Sequence, residues 1–152
     1  MVVEKIISGG QTGADMGGLI AGKILKINTG GTAPPNWMTE EGAKPTLRSW
    51  GLTEGGPDPT GYTKRTKKNI IDSDGTLLMG NTSSPGSSLT KRLCLTLLKP
   101  YIVNPDPTSL KTWLEIFGIK VLNVAGNRES KNPGIQDKTI HLLKEVLGND
   151  NT

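Results

Sequence analysis

Ile6-Ile7-Ser8-Gly9-Gly10-Gln11-Thr12-Gly13-Ala14-Asp15 is the stretch on which the reading of this chain turns. An apolar run from Val2 to Ile7 stops at two glycines, passes through small polar residues and gives way to an apolar-rich segment reaching Ile27. A buried strand, a tight glycine turn and the start of a helix account for that pattern. Two readings of the turn are open. In one, Gly9 and Gly10 only let the chain reverse. In the other, backbone N–H groups and the positive end of a helix dipole converge on one point, where an anion would sit.

Outward from this stretch, the helix carries Leu19, Ile20, Ile24 and Leu25 together with Gly13, Gly17 and Gly18. A glycine inside a helix costs about 1 kcal/mol relative to alanine, so these glycines imply a close approach to the sheet or to a neighbouring subunit. Asn28–Ala33 reads as a short second strand. From Pro34 to Gly61 five prolines break any period, which predicts a long shaped loop with Trp37 and Trp50 packed down as anchors. Tyr62 to Asp72 reads as a helix whose Arg65, Asn69 and Asp72 share one face, either solvated or the wall of a polar site. Thr76–Gly80 is a short buried strand. It exits through Asn81–Ser88 into a helix with Leu89, Leu93, Leu97 and Leu98, ended by Lys99-Pro100. Tyr101–Val103 is the next strand. Pro107 begins a helix through Leu110, Trp113, Leu114 and Phe117 that Gly118 closes. Ile119–Val124 is the last strand, and its exit is Ala125–Ser130. Asn132 and Pro133 are expected to cap and start a final helix with Thr139, Leu142, Leu143, Val146 and Leu147 inward and His141 solvated.

The order β-α-β-loop-α-β-α-β-α-β-α predicts an α/β fold, a parallel sheet with helices on both faces, as one domain over residues 1–148 and a frayed tail at 149–152. The length of 152 residues suits one core, and with 34% hydrophobic residues but one Phe and two Tyr that core must be aliphatic. A single cysteine, Cys94, excludes a disulfide framework and a cysteine metal cluster, and fits a reducing cytoplasm. Val2–Ile7 is too short for a signal-peptide core, and no apolar run nears the roughly 20 residues needed to span a membrane. The net charge of +4 points to anionic partners. Part of it is the run Lys64-Arg65-Thr66-Lys67-Lys68, read as a solvated face. Single-stranded nucleic acid binding there lacks the aromatic platforms it normally uses.

Ligands of such sheets bind beyond the carboxyl ends of the strands. Three exits there are rich in glycine, serine or asparagine: Ser8–Asp15, Asn81–Ser88 and Asn123–Ser130. Arg65 and Arg128 suit bidentate contact with a phosphate or oxyanion, and Arg128 has the alternative of pairing with Glu129. Asp15, Asp74 and Glu129 suit acceptance from ribose hydroxyls or ring nitrogens. The dinucleotide fingerprint, the Walker A lysine, a zinc cluster and a Ser-His-Asp triad are all missing from the sequence.

Ile7–Asp15, Arg65-Thr66 through Asn69 to Asp74, and Leu122–Gly126 with Arg128-Glu129-Ser130 and Pro133-Gly134-Ile135 together resemble the putative molybdenum carrier family, over Ile6 to about Leu147. The resemblance implies a Rossmann-like fold and homo-oligomeric assembly as dimer or tetramer. It implies similarity to carriers of molybdenum cofactor, a phosphorylated pterin with an oxometal centre. It also implies membership of a wider group that includes lonely-guy-type phosphoribohydrolases and the DNA-processing protein DprA. The chain departs from the family at Met16, where arginine is usual. It departs again at Gly31–Asn36, which lacks the usual lysine, and at Ser84–Thr90. Aligned on Pro85-Gly86, the phosphoribohydrolase glutamate falls on Leu93, which cannot act as acid or base. The expected function is therefore carriage of a phosphorylated small molecule, the molybdenum cofactor or a nucleotide derivative, with no catalytic residues, no metal site and no required cofactor. Alternatives are a sponge or sensor of an ADP-ribose-type signal in phage–host defence, and a hydrolase using Asp15, Asp74 or Glu129. The expected ligand-facing residues are Gly9, Gly10, Gln11, Thr12 and Asp15; Arg65, Asn69 and Asp74; Gly86, Ser87, Ser88 and Thr90; and Asn123, Gly126, Arg128, Glu129 and Ser130.

Overall fold

Residues 3–57 and 63–148 are described by the structure, a computed structural model. Val2, Tyr62 and the expected tail at 149–152 lie outside the described residues. In chain order the elements are β1 (Lys5–Ile7), α1 (Ala14–Ile24), β2 (Asn28–Ala33), β3 (Met38–Thr39), β4 (Gly42–Ala43), β5 (Leu52–Glu54), α2 (Thr63–Ile71), β6 (Gly75–Met79), α3 (Pro85–Thr96), β7 (Tyr101–Val103), α4 (Pro107–Phe117), β8 (Val121–Gly126) and α5 (Ile135–Leu147).

Side chains of a strand alternate between faces, and the two faces of this sheet differ. Ile6, Leu77, Leu122 and Val124 point to one side, into a core closed by Ala21 of α1, Leu110 and Leu114 of α4, and Leu143 and Val146 of α5. On the other side Asn123 donates to the Thr76 hydroxyl at 3.1 Å, beneath α2 and α3. The sheet runs β5-β2-β1-β8-β6-β7 with every neighbouring pair parallel. From β1 the chain works outward to β2 and β5; from β6 it goes the other way to β7. The last strand, β8, is inserted between them. The expected α/β architecture is present, and the crevice where successive connections diverge lies at the carboxyl end of β8.

The proline-rich segment is more ordered than its sequence pattern predicts. It holds 3-10 turns at Pro35–Trp37 and Pro45–Trp50, the hairpin β3–β4, and β5, a sixth strand at the sheet edge. Leu52 is the only apolar residue of β5, so the strand leaves no periodic signal. Trp37, Leu47 and Leu52 bury themselves against Leu19 and Ala33, with Trp50 packed alongside.

The expectation for α3 needs correction. The expected leucine stripe of α3 is not its buried face; Ser87, Thr90 and Cys94 are, while Leu98 is 90% exposed. The helix ends at Thr96, and Leu98 lies past it in left-handed backbone with φ 57°. Small polar residues thus face the sheet and leave room beneath the start of α3. The glycines of α1 serve contacts within the chain. A Cβ at Gly18 would lie 2.7 Å from Val124 Cβ, and one at Gly17 would lie 2.8 Å from the Gln136 carbonyl oxygen. Among the described residues no helix is long and apolar enough to cross a membrane.

In an open helix position Gly→Ala stabilises by about 1 kcal/mol. Gly18→Ala is expected to destabilise instead, by about 1–3 kcal/mol, because the added methyl overpacks against Val124. Urea denaturation reads the sign, and a stabilised variant would refute the close approach.

Candidate functional site

A cavity of about 290 Å³ opens at the β8 crevice. The loop after β1 contributes Gly9 and Gln11, and the first turn of α1 contributes Asp15. Arg65, Thr66 and Asn69 come from α2, and Gly86, Ser87 and Thr90 from the start of α3. Asn123, Gly126 and Arg128 come from β8 and its exit. Leu89, Val124 and Ala125 add apolar wall.

The donors of the first loop are engaged within the chain. Gly10 N–H donates to Ser8 Oγ at 3.2 Å, Gln11 N–H to Asp15 Oδ2 at 3.2 Å, Thr12 N–H to Gln11 Oε1 at 3.0 Å, and Ala14 N–H to the Asn127 carbonyl at 3.1 Å. The anion held at the start of α1 is therefore the chain's own Asp15 carboxylate, which the helix dipole also favours. Arg65 lies across this loop, its Nη1 3.4 Å from Asp15 Oδ2. A Cβ on Gly9 would overlap the guanidinium, so any larger residue there would have to shift the Arg65 side chain. Burial pushes the Asp15 carboxyl above its ordinary range, while Arg65 and the N–H groups of Gln11 and Gly9 pull against it. Gly10 sits under Leu47 and Leu52, away from the cavity wall.

Glu40, in the turn of the β3–β4 hairpin, is the residue sequence reasoning missed. Its carboxylate accepts from the hydroxyls of Thr12 and Ser130, and from Ser130 N–H at 3.2 Å. Its own N–H donates to Gln11 Oε1 at 2.9 Å. Those bonds, from Ser130 first and then Thr12, hold its carboxyl below the ordinary value of 4.5. They also turn Thr12 and Ser130 toward the hairpin. The partners stand 28 and 90 residues away, so no local pattern marks Glu40.

Other expected site residues do structural jobs. Asp74 lies at the amino end of β6, opposite the cavity, where it accepts from Lys120 and Val121 N–H at 2.9 and 2.8 Å. Glu129 accepts from Gly134 and Gln136 N–H at 2.7 and 3.0 Å and so caps α5. The helix begins at Ile135, and Asn132, the expected cap, instead donates to Asn127 Oδ1 at 3.1 Å. Asn69 clasps both backbone groups of Thr32, at 2.8 and 3.0 Å, and ties α2 to β2. Asp72 is exposed and paired with Lys68 at 2.8 Å. Ser88 is exposed, and Thr90 Oγ1 donates to the Gly86 carbonyl at 3.0 Å. His141 is exposed, and the Cys94 thiol is buried and pushed up by that burial.

A carboxylate whose folded pKa is depressed adds stability above its unfolded pKa and loses it as pH falls through the folded value. Glu40→Gln is therefore expected to be less stable than wild type at pH 7, with the gap closing below pH 4.5. Thermal melts from pH 7 to pH 3 check this; a gap that persists unchanged at pH 3 would show that the Glu40 charge contributes nothing.

The fold has a counterpart among known proteins. The crystal structure of a putative molybdenum carrier protein from Syntrophus aciditrophicus SB superposes with a TM-score of 0.84, at 36% sequence identity over 96% of each chain. No curated protein matches the chain significantly. Residues 6–147 match the circularly permutated YpsA SLOG family. That match fits a sheet whose last strand is its central one, and the chain belongs to this family.

Proposed function

We propose that this protein binds a phosphorylated heterocycle of mononucleotide size, a nucleotide or a phosphorylated pterin such as the molybdenum cofactor, and carries it unchanged. One observation carries the reading: Arg65 from α2 and Arg128 from the β8 exit line a single cavity at the switch point of the sheet. Two guanidinium groups with neighbouring serine and threonine hydroxyls suit a phosphoryl group. Leu89, Val124 and Ala125 offer an apolar wall to a ring. At about 290 Å³ the cavity is near the small end of ligand sites, roughly 300–1,000 Å³. That size favours a mononucleotide or pterin over an ADP-ribose derivative. The similar structure's description as a molybdenum carrier supports the same class of ligand.

Carriage is favoured over hydrolysis because the carboxylates are committed. Asp74 and Glu129 hold backbone groups elsewhere, Leu93 is outside the cavity wall, and Asp15 is locked between Arg65 and the first loop. A cytoplasmic location, resting on the lone reduced Cys94, and homo-oligomeric assembly belong to the same proposal.

Calorimetry with GMP, AMP, ribose 5-phosphate, molybdate and molybdenum cofactor tests it. At least one phosphorylated probe is expected to bind. Arg128→Ala is expected to weaken that binding by about 10- to 100-fold, the scale of a charged hydrogen bond. The bound probe is expected to be recovered intact after heating. Silence across the panel in folded protein overturns binding, and recovery of a cleaved product overturns carriage.

A further inference from the structure

Gln11 is 5% exposed and lines the cavity. Its amide has only one possible sense. Oε1 accepts from Thr12 N–H at 3.0 Å and from Glu40 N–H at 2.9 Å. Both partners are backbone donors and cannot accept, so turning the amide around would set NH2 against two N–H groups. Nε2 is thereby fixed as the other end of the side chain. It is buried and meets no acceptor among the described residues. A buried donor left unmet is a standing cost that an occupant of the cavity can remove.

The chemistry of that occupant follows from what surrounds Gln11. Its own backbone N–H is bonded to Asp15 Oδ2, so a carboxyl group already occupies this corner. Arg65 pairs with that same oxygen at 3.4 Å, so the charge at this corner is already matched within the chain, and a phosphoryl group placed there would compete with Asp15 for the guanidinium. Gln11 Nε2 itself is neutral and only donates. We propose that it reads an uncharged acceptor, a ring carbonyl of the bound heterocycle, and that the site selects oxo-bearing over amino-bearing rings. The β3–β4 hairpin is part of this device, because Glu40 N–H helps to lock the amide. The inference rests on the phosphorylated-heterocycle reading above and adds the ring chemistry to it.

The test compares GMP and IMP, which carry an oxo group, with AMP, which carries an amino group, and with ribose 5-phosphate, which has no ring base. Wild type is expected to bind GMP and IMP roughly tenfold or more tighter than AMP, a discrimination typical of one buried hydrogen bond. Gln11→Glu keeps both acceptor bonds to Thr12 and Glu40 but replaces the donor with an acceptor. It is expected to invert the GMP-to-AMP preference. Gln11→Leu removes the donor at similar volume, together with the acceptor of the Thr12 and Glu40 N–H groups, and is expected to level the ratio of GMP to AMP affinity whatever it does to the affinity for ribose 5-phosphate. Circular dichroism checks folding, and if Gln11→Leu fails to fold, Gln11→Glu decides. A wild-type preference for AMP, or an equal loss for all four probes in either folded variant, overturns the proposal while leaving the site reading intact. No binding of any of the four by folded wild type overturns both.

Discussion

The approach of α1 to β8 and α5 is the constraint from which the rest of this structure follows. The last strand has to enter the middle of the sheet, between β1 and β6, and the last helix has to lie beside the first. That is possible only if α1 presents no side chain where Val124 and Thr139 stand, and Gly18 and Gly17 provide the gap. Gly13 does the same for the loop, since a Cβ there would lie 2.7 Å from Glu129 N. Once these surfaces meet, the exits of β1 and β8 lie side by side, with Ala14 N–H bonded to the Asn127 carbonyl. The crevice is a product of helix packing as much as of strand order.

That packing changes what the glycine turn does. A glycine-rich strand-to-helix turn ordinarily offers its N–H groups to a ligand phosphate. Here Ser8, Gln11 and Asp15 take them, so the cavity is lined by side chains of this loop, α2, α3 and the β8 exit rather than by open N–H groups. A side-chain site has to be held in shape by its neighbours. Asn69 pins α2 to β2, Glu129 starts α5, and Glu40 ties the hairpin to both loops.

Much of the fold was legible because it is written in local pattern. The strand–helix alternation, the inward face of α5 and the burial of Trp37 and Trp113 all follow from residues close in sequence. What escaped depends on contacts made at a distance. β5 is a strand because β2 is beside it, since Leu-Thr-Glu has no period of its own. α3 buries Ser87, Thr90 and Cys94 against the sheet and leaves Leu89 and Leu93 half-buried at its side. In the site, residue type located Arg65, Arg128 and Gln11 at one cavity. Residue type also misplaced Asp74 and Glu129, because a carboxylate that holds backbone N–H groups looks in sequence like one that awaits a ligand. Glu40 shows the converse: its partners come from the far ends of the chain, so nothing near it reveals its role.

The electrostatics of the cavity bear on what kind of binder this is. Arg65 has Asp15 behind it at 3.4 Å, and Arg128 lies close enough to Glu40 to stabilise its charge. Arg65 is thus held, and both guanidinium groups are partly neutralised, before any ligand arrives. Holding reduces the ordering cost of binding, which favours affinity. Neutralisation acts the other way, because an incoming phosphoryl group must share each arginine with a carboxylate. Asp15 sharpens this competition, since burial already disfavours its charged form. A site that is preorganised but incompletely charged favours selective, reversible binding.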